Sequence, residues 1–488
     1  MPLTTLPFPR FIATCLAVLL LAWLPFPILA DTELPALGDA GAGVISPEME
    51  RRLGTAWLRE LRARTNLYYD PLVSDYVEHL AYRLASHSDL TEPRLSLVML
   101  NSAEINAFAV PGGIMGINAG LLLGAGNEGE VASVMAHELA HLSQRHYARG
   151  LDQQRRQQPL TLTAILASIL IAATVGGDIG TAAILGTQAG LQQNQLAYSR
   201  EHEREADRIG MQTLARAGFD PAAMPTFFET LLRATPVDAD RYPEYLRTHP
   251  ITESRISDSR NRTRQLPKPV TAKNSMDFQL ARVRLQVAFA RDGNTAAATF
   301  ADALKQAPPA RQAPLRYGLA LALLRATRYD DALTTLAPLR SEAPERIAYL
   351  VAEGEILLAA DRSQEAENLL TAGLALAPDN YPLAMTAAQA QIREQHAAKA
   401  VALLERQALL RRNDPQVWHL LARARGDTGD VVGVHAARAE YLFLINQADQ
   451  AQEQLEFGIR KAGNDFAHAA PLHNRLREIK ETRHDFKP

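Results

Sequence analysis

Two stretches of this chain combine a helical repeat of apolar positions with ionisable residues set into the apolar face. The first runs Val131-Ala132-Ser133-Val134-Met135-Ala136 into His137-Glu138-Leu139-Ala140-His141. Asn127 can cap it and Glu130 sits three positions on, the pattern of a capping box, so the spacing predicts a helix with both histidines well inside it. The second begins near Arg200. With Glu203 as zero, Ala206, Gly210, Leu214 and Ala217 fall within about 60° of it, and Glu201, Glu205, Arg208 and Gln212 cluster opposite. Glu203 and Asp207 therefore belong to the inward face. Ahead of the first helix, residues 94–100 alternate as a strand, and residues 105–117 read as a hairpin or edge segment interrupted by Pro111-Gly112-Gly113.

From about residue 277 the pattern becomes Ala/Leu/Arg-rich and continuously helical. Ala320, Gly354, Ala388 and Ala422 recur every 34 residues, as do Ala332, Ala366 and Ala400, with Pro344 and Pro378 in phase. That period is the mark of stacked helical hairpins, whose small residues let paired helices approach. Trp418 and Leu421 precede Ala422 at the spacing of tetratricopeptide repeats. About four units are in register, with a looser one near 281–309 and poorly matched helices after 435. An ordinary Ala-rich bundle is the plainer alternative. Pro267 and Pro269 mark residues 263–276 as a linker.

The N-terminus has Arg10, an apolar run over residues 11–24, then Pro25, Pro27 and Ala30 before Asp31. This is the plan of a secretory signal peptide cleaved after Ala30, with an uncleaved anchor as the alternative. Cys15, the only cysteine, lies inside that segment, so the exported chain is expected to have no disulfide. Without residues 1–30 the balance is 50 basic against 54 acidic residues, which supplies no basic field for nucleic acid. Two further apolar runs, 160–175 and 179–191, are short for membrane spans and suit a helical hairpin. It is either a core hairpin or a hydrophobic flap that touches membrane or an unfolded client.

Imidazoles four apart on a helix project to one side and can share an ion at roughly 2.0–2.1 Å. Glu138, about 100° round from His137, is placed to act on a water rather than to ligate, which makes it the candidate general base. A third ligand is still required, and inward-facing carboxylates are costly to bury unless a cation meets them. Glu203 is that candidate, with Asp207 one turn on either fixing a ligating imidazole or donating a proton. An acidic surface helix paired to Arg200, Arg204 and Arg208 is the alternative. Residues 106–117, including Asn106, Phe108, Gly112 and Gly113, form a candidate substrate edge or a sheet that only packs the helix. His249, before Pro250, is an exposed turn histidine, an oxyanion contact or a reversible plug of the metal. His79, His87, His146 and His202 lack ligand spacing to any other candidate.

Together, residues 135–141, the Glu203/Asp207 pair, residues 106–113 and Thr248-His249-Pro250 resemble the zinc endopeptidase family that contains the CAAX prenyl proteases and bacterial heat-shock membrane proteases. The likeness covers about residues 47–262, and with the repeats the whole chain is similar to periplasmic members that act on outer-membrane proteins. The resemblance implies one Zn²⁺ per chain on His137, His141 and Glu203, with Glu138 as catalytic acid/base and Asp207 as a second acidic residue. The spanning helices of the membrane-bound members have no counterpart here. The expected fold is mainly α: a zincin-like α+β metalloprotease domain with a small sheet (31–262), then a tetratricopeptide-repeat solenoid (277–488). The implied work is proteolysis and chaperoning of misfolded or stalled β-barrel proteins. The array would dock on the outer-membrane assembly machinery, with peripheral membrane contact. The alternative is a non-proteolytic scaffold with a latched or vestigial zinc site. Glu138 discriminates, because an acid among apolar neighbours has no structural reason to be there.

Overall fold

The computed structural model of the chain describes residues 46–150, 200–234, 244–267 and 274–485. The signal-peptide segment and the 160–191 hairpin lie outside the described residues. The first unit is built from α1 (Pro47–Arg64), α2 (Pro71–Ala85), β1 (Ser96–Leu100), β2 (Ala107–Val110), β3 (Ile114–Asn118), α3 (Ala119–Gly124), α4 (Glu128–Ser143), α5 (Arg200–Arg216), α6 (Ala223–Ala234), α7 (Glu244–Thr248) and α8 (Glu253–Thr263). Among the described residues, no helix is long and apolar enough to cross a membrane.

The predicted helix entry is present. Asn127 Oδ1 accepts from the Glu130 amide at 3.1 Å, and Glu130 reaches back to accept from the Gly126 amide at 2.8 Å, so the first turn of α4 is closed at both ends. From Glu130 to His141 every residue of α4 is buried, because α5, α6, α2 and β2 all pack on it. The α4–α5 crossing is tight. A Cβ on Gly210 would lie 3.1 Å from both the Cα and the N of His137, so glycine there lets α5 approach the motif backbone.

The sheet has the order β1-β3-β2, with β1 parallel and β2 antiparallel to β3. β2 is thus an edge strand lying against α4. Asn118 donates to Asn106 O at 3.0 Å. By the alternation of an antiparallel ladder, the backbone groups of Asn106, Phe108 and Val110 face β3, and those of Ala107 and Ala109 face outward. Gly112 and Gly113 are not strand residues. They form the β2–β3 turn at φ +86° and +78°, and a Cβ on Gly113 would meet Arg94 O at 2.2 Å.

Twelve helices follow, from α9 (Met276–Phe289) to α20 (Phe466–Asp485), making six hairpins. In every hairpin after the first, the residue that turns the A helix into its B helix has positive φ: Thr327, Asp361, Gln395, Gly429 and Gly463, each 34 from the last. The period therefore continues through Gly463. The helices after 435 are repeats in phase, and their mismatch in sequence reflects the loss of the small-residue signature rather than of the hairpin. Gly354 shows what that signature does, since a Cβ there would sit 2.8 Å from Leu370 Cδ1 of the paired helix.

The array is not a separate appendage. Phe278, Ala281 and Leu285 of α9 belong to the core around α4, and Leu280, Val283 and Val287 on its other side belong to the core of the first repeats. Partly buried Arg284 joins the two units, bonding Asp70 of the α2 cap at 2.6 Å and Glu355 of the array at 2.8 Å. Farther along, Arg411 pairs with Glu78 at 2.6 Å, and Arg62 donates to Asn413 O at 2.6 Å. Later repeats thus return to α1 and α2.

Candidate metal centre

The histidines of α4 and the inward acid of α5 converge. His137 Nε2 and His141 Nε2 are 3.0 Å apart, and Glu203 presents Oε2 at 3.5 Å from the first and Oε1 at 3.4 Å from the second. His249, on the turn after α7, places Nδ1 3.0 Å from Glu203 Oε1 and 3.4 Å from His137 Nε2. One donor atom from each of these four buried residues lies within 4.8 Å of the others. The donor set fits a zinc-type cation: two imidazoles and a carboxylate, with separations close to the about 3.3 Å that tetrahedral ligands at 2.0–2.1 Å keep between themselves. Glu203 Oε2 and both Glu138 oxygens are buried without a hydrogen bond, as expected of atoms facing a cation and its water.

The candidate ligands are backed by further charged side chains. Asp207 Oδ1 lies 3.1 Å from His137 Nδ1, and Arg255 of α8 grips that carboxylate through Nε and Nη2, both at 2.8 Å. Arg255 Nη1 also lies 2.8 Å from Glu203 Oε2, out of line for a hydrogen bond, so that contact is Coulombic. Burial opposes both acids' charge, yet Arg255 and His137 keep Asp207 below its ordinary value, and the three histidines keep Glu203 well below its own. Burial likewise opposes a charge on His137, but the adjacent Asp207 and Glu203 carboxylates prevail and raise it to about 9. His141 goes well below the usual imidazole value, chiefly through burial.

Glu138 is fully buried, and burial raises its carboxyl above the ordinary range. His249 Nε2 stands 3.4 Å from Glu138 Oε1. The outward Ala109 amide of β2 is directed at the same carboxylate and lowers its pKa without reaching ordinary hydrogen-bond geometry. The general base candidate and the edge strand therefore share one recess. Of the residues named for that edge, Asn106 and Phe108 are in β2's approach and body. The Phe108 ring packs edge-on to Trp57 at 5.6 Å, in the core rather than in the recess.

His249 is 1 % exposed, which excludes the surface-turn reading. Its ring stacks on Tyr245 at 4.8 Å. His146 departs further from expectation. It is wholly buried, with Nδ1 2.9 Å from His141 Nδ1 and Nε2 3.0 Å from Glu205 Oε2. Helical spacing does not reveal it because α4 ends at Ser143 and Arg145 turns back at φ 49°. Glu205, assigned to the solvent side, is likewise drawn in by His146 and by Arg149 at 2.6 Å. Arg255 was also missed. The signal was the pair of inward acids on α5, which required a cation that the sequence does not locate.

Residues 71–263 match peptidase family M48 and residues 357–424 match the tetratricopeptide repeat. The chain is 34% identical over 485 residues to the beta-barrel assembly-enhancing protease of Escherichia coli (strain K12), covering 98% of each. It is 36% identical over 452 residues to the protein of that name from Yersinia pestis, covering 90% of this chain and 91% of the other. A mitochondrial metalloendopeptidase of Arabidopsis thaliana is 32% identical over 171 residues, 35% of this chain and 32% of that one. The chain therefore belongs to the beta-barrel assembly-enhancing protease family, metalloendopeptidases of family M48 that carry a tetratricopeptide-repeat array.

Proposed function

We propose that this chain is a zinc-dependent endopeptidase of the periplasm that removes misfolded or stalled outer-membrane β-barrel proteins, with His137, His141 and Glu203 as metal ligands. The observation that carries the reading is the convergence of these three side chains beside the unbonded Glu138 carboxylate. The names of the full-length relatives and the signal-peptide pattern of residues 1–30 support the compartment and the client class.

Zinc held by His137, His141 and Glu203 would supply Lewis acidity toward a scissile carbonyl and an attacking water. Glu138, whose raised pKa suits it to the task, is the base that accepts the proton of the attacking water and the acid that returns it to the departing amide nitrogen. Asp207 acts as a positioning residue, holding His137 by Nδ1 so that Nε2 is presented. The outward backbone of Ala107 and Ala109 offers pairing groups to an extended client. His249 brings a fourth donor atom to the same cluster, which favours a latched resting state that substrate must open. Residues 31–262 carry the chemistry, and the array of residues 277–488 brings client or assembly machinery to it.

Purified chain incubated with an outer-membrane β-barrel protein tests this reading. Cleavage of the unfolded client, its sparing once folded, and loss of cleavage with a chelator are expected. Equal cleavage of folded and unfolded client, or chelator-resistant cleavage, contradicts the proposal.

A further inference from the structure

Where the late repeats meet α1 there is a second cleft of about 900 Å³, away from the metal centre. Its lining carries six arginines against three glutamates. Two pairs cancel within the wall: Arg425 with Glu405 at 2.7 Å, and Arg475 with Glu440 at 2.7 Å. Arg59 is different. It is 8 % exposed, and among the described residues no carboxylate pairs with it. Its one close partner is the Phe443 ring, 4.5 Å away, over which Arg475 also sits at 4.9 Å. The charges acting on Arg59 are those of Arg475 and Arg62, both cationic, and with burial as the larger cause they push it down to about 10.

A buried guanidinium with no anion, facing another cation, is an arrangement that proteins otherwise avoid. It becomes favourable when an anion enters and takes the planar fork. The wall beside Arg59 is apolar, formed by Phe443, Leu444, Leu421 and Trp418, with Leu409 at the rim 69 % exposed. Arg412 is a second cation along the cleft beyond Arg59, while Arg51 at the α1 end already pairs with Glu92 at 3.5 Å. Arg59 and Arg412 together exceed what a single carboxylate would neutralise, and favour several carboxylates on one strand of chain.

We propose that this cleft binds an acidic peptide segment, with one carboxylate on the Arg59 fork and apolar neighbours against Phe443 and Trp418. Both walls are needed, one from α1 and one from the repeats, so the site exists only when the two units are docked. It does not depend on the hydrolytic reading, because binding is measured directly.

The test is fluorescence anisotropy of the full chain with a labelled, C-terminally amidated peptide of alternating Glu and Leu. Controls are the same peptide with Gln for Glu, amidated, and the Gln peptide with a free C-terminus. The Glu peptide is expected to bind at least about tenfold tighter than either control and to weaken with salt. Arg59→Ala should reduce that affinity by about tenfold or more. Leu409→Glu, at an exposed position where folding is not at stake, should reduce it as well by setting a carboxylate at the rim. Equal affinity for Glu and amidated Gln peptides, binding only of the free C-terminus, or indifference to Leu409→Glu overturns the proposal.

Discussion

His137 Nδ1 faces Asp207 Oδ1 at 3.1 Å, and that carboxylate is held in turn by the fork of Arg255. The contact is out of line for a hydrogen bond, but the Asp207 charge favours the proton on Nδ1, which leaves the lone pair of Nε2 toward Glu203 and His141, where a cation is to be bound. Arg255 also approaches Glu203. One guanidinium thus sets both inward acids of α5.

Replacing Arg255 by Met should therefore leave two buried carboxylates with only histidines to meet them. A stability loss of about 3–5 kcal/mol is expected, the usual cost of removing one partner from a buried ion pair. Urea denaturation of the metal-free chain measures it. A loss under about 1 kcal/mol would show that the acids do not need this cation.

Gly210→Ala tests whether the helix crossing sets the ligand spacing. The new methyl would press on the His137 backbone at 3.1 Å and push α5 outward by a few tenths of an ångström. Overpacking costs about 1–3 kcal/mol, and Glu203 moves with α5. Weaker zinc affinity in a competition titration is expected, and unaltered affinity would separate ligand geometry from the crossing.

His146 stands behind His141 as Asp207 stands behind His137. His146→Leu stays near the volume of the imidazole and remains buried but removes the ring nitrogens, and zinc affinity should fall about 10–100-fold, the range for such supporting partners. Little change would assign His146 to packing alone.

The sign of the pH dependence follows from His137. Its folded pKa is raised to about 9 from 6.5 by Asp207 and Glu203 acting against burial. In the metal-free chain its contribution to stability is full below 6.5 and disappears as pH rises through about 9. A ligating imidazole must be neutral, so zinc uptake releases this proton. Zinc affinity should rise by up to about tenfold per pH unit between pH 6.5 and 9, then level off. Chelator competition across that range reads the slope, and a flat profile would mean that His137 is already neutral without metal.

Much of this site was legible in the sequence because helical periodicity is local. The capped run into His137 and the inward face of Glu203 and Asp207 depend only on residues a turn or two apart. Arg255, His146 and the orientation of His249 were not legible, because each reaches the site through a turn whose direction the sequence does not encode at short range. The 34-residue period located the repeats but not the double role of α9, whose Phe278 and Leu280 serve different cores. Apolar faces on opposite sides of one helix read simply as a buried helix.

The central claim is that one zinc ion rests on His137, His141 and Glu203 and that Glu138 uses it to cut peptide bonds. Metal stoichiometry and cleavage of an unfolded client, measured together on Glu138→Gln and Glu203→Ala, test it most directly. Glu138→Gln should keep about one zinc per chain while losing at least about a hundredfold in rate, and Glu203→Ala should lose zinc and rate together. Undiminished cleavage by Glu138→Gln, or full zinc retention by Glu203→Ala, would contradict the account.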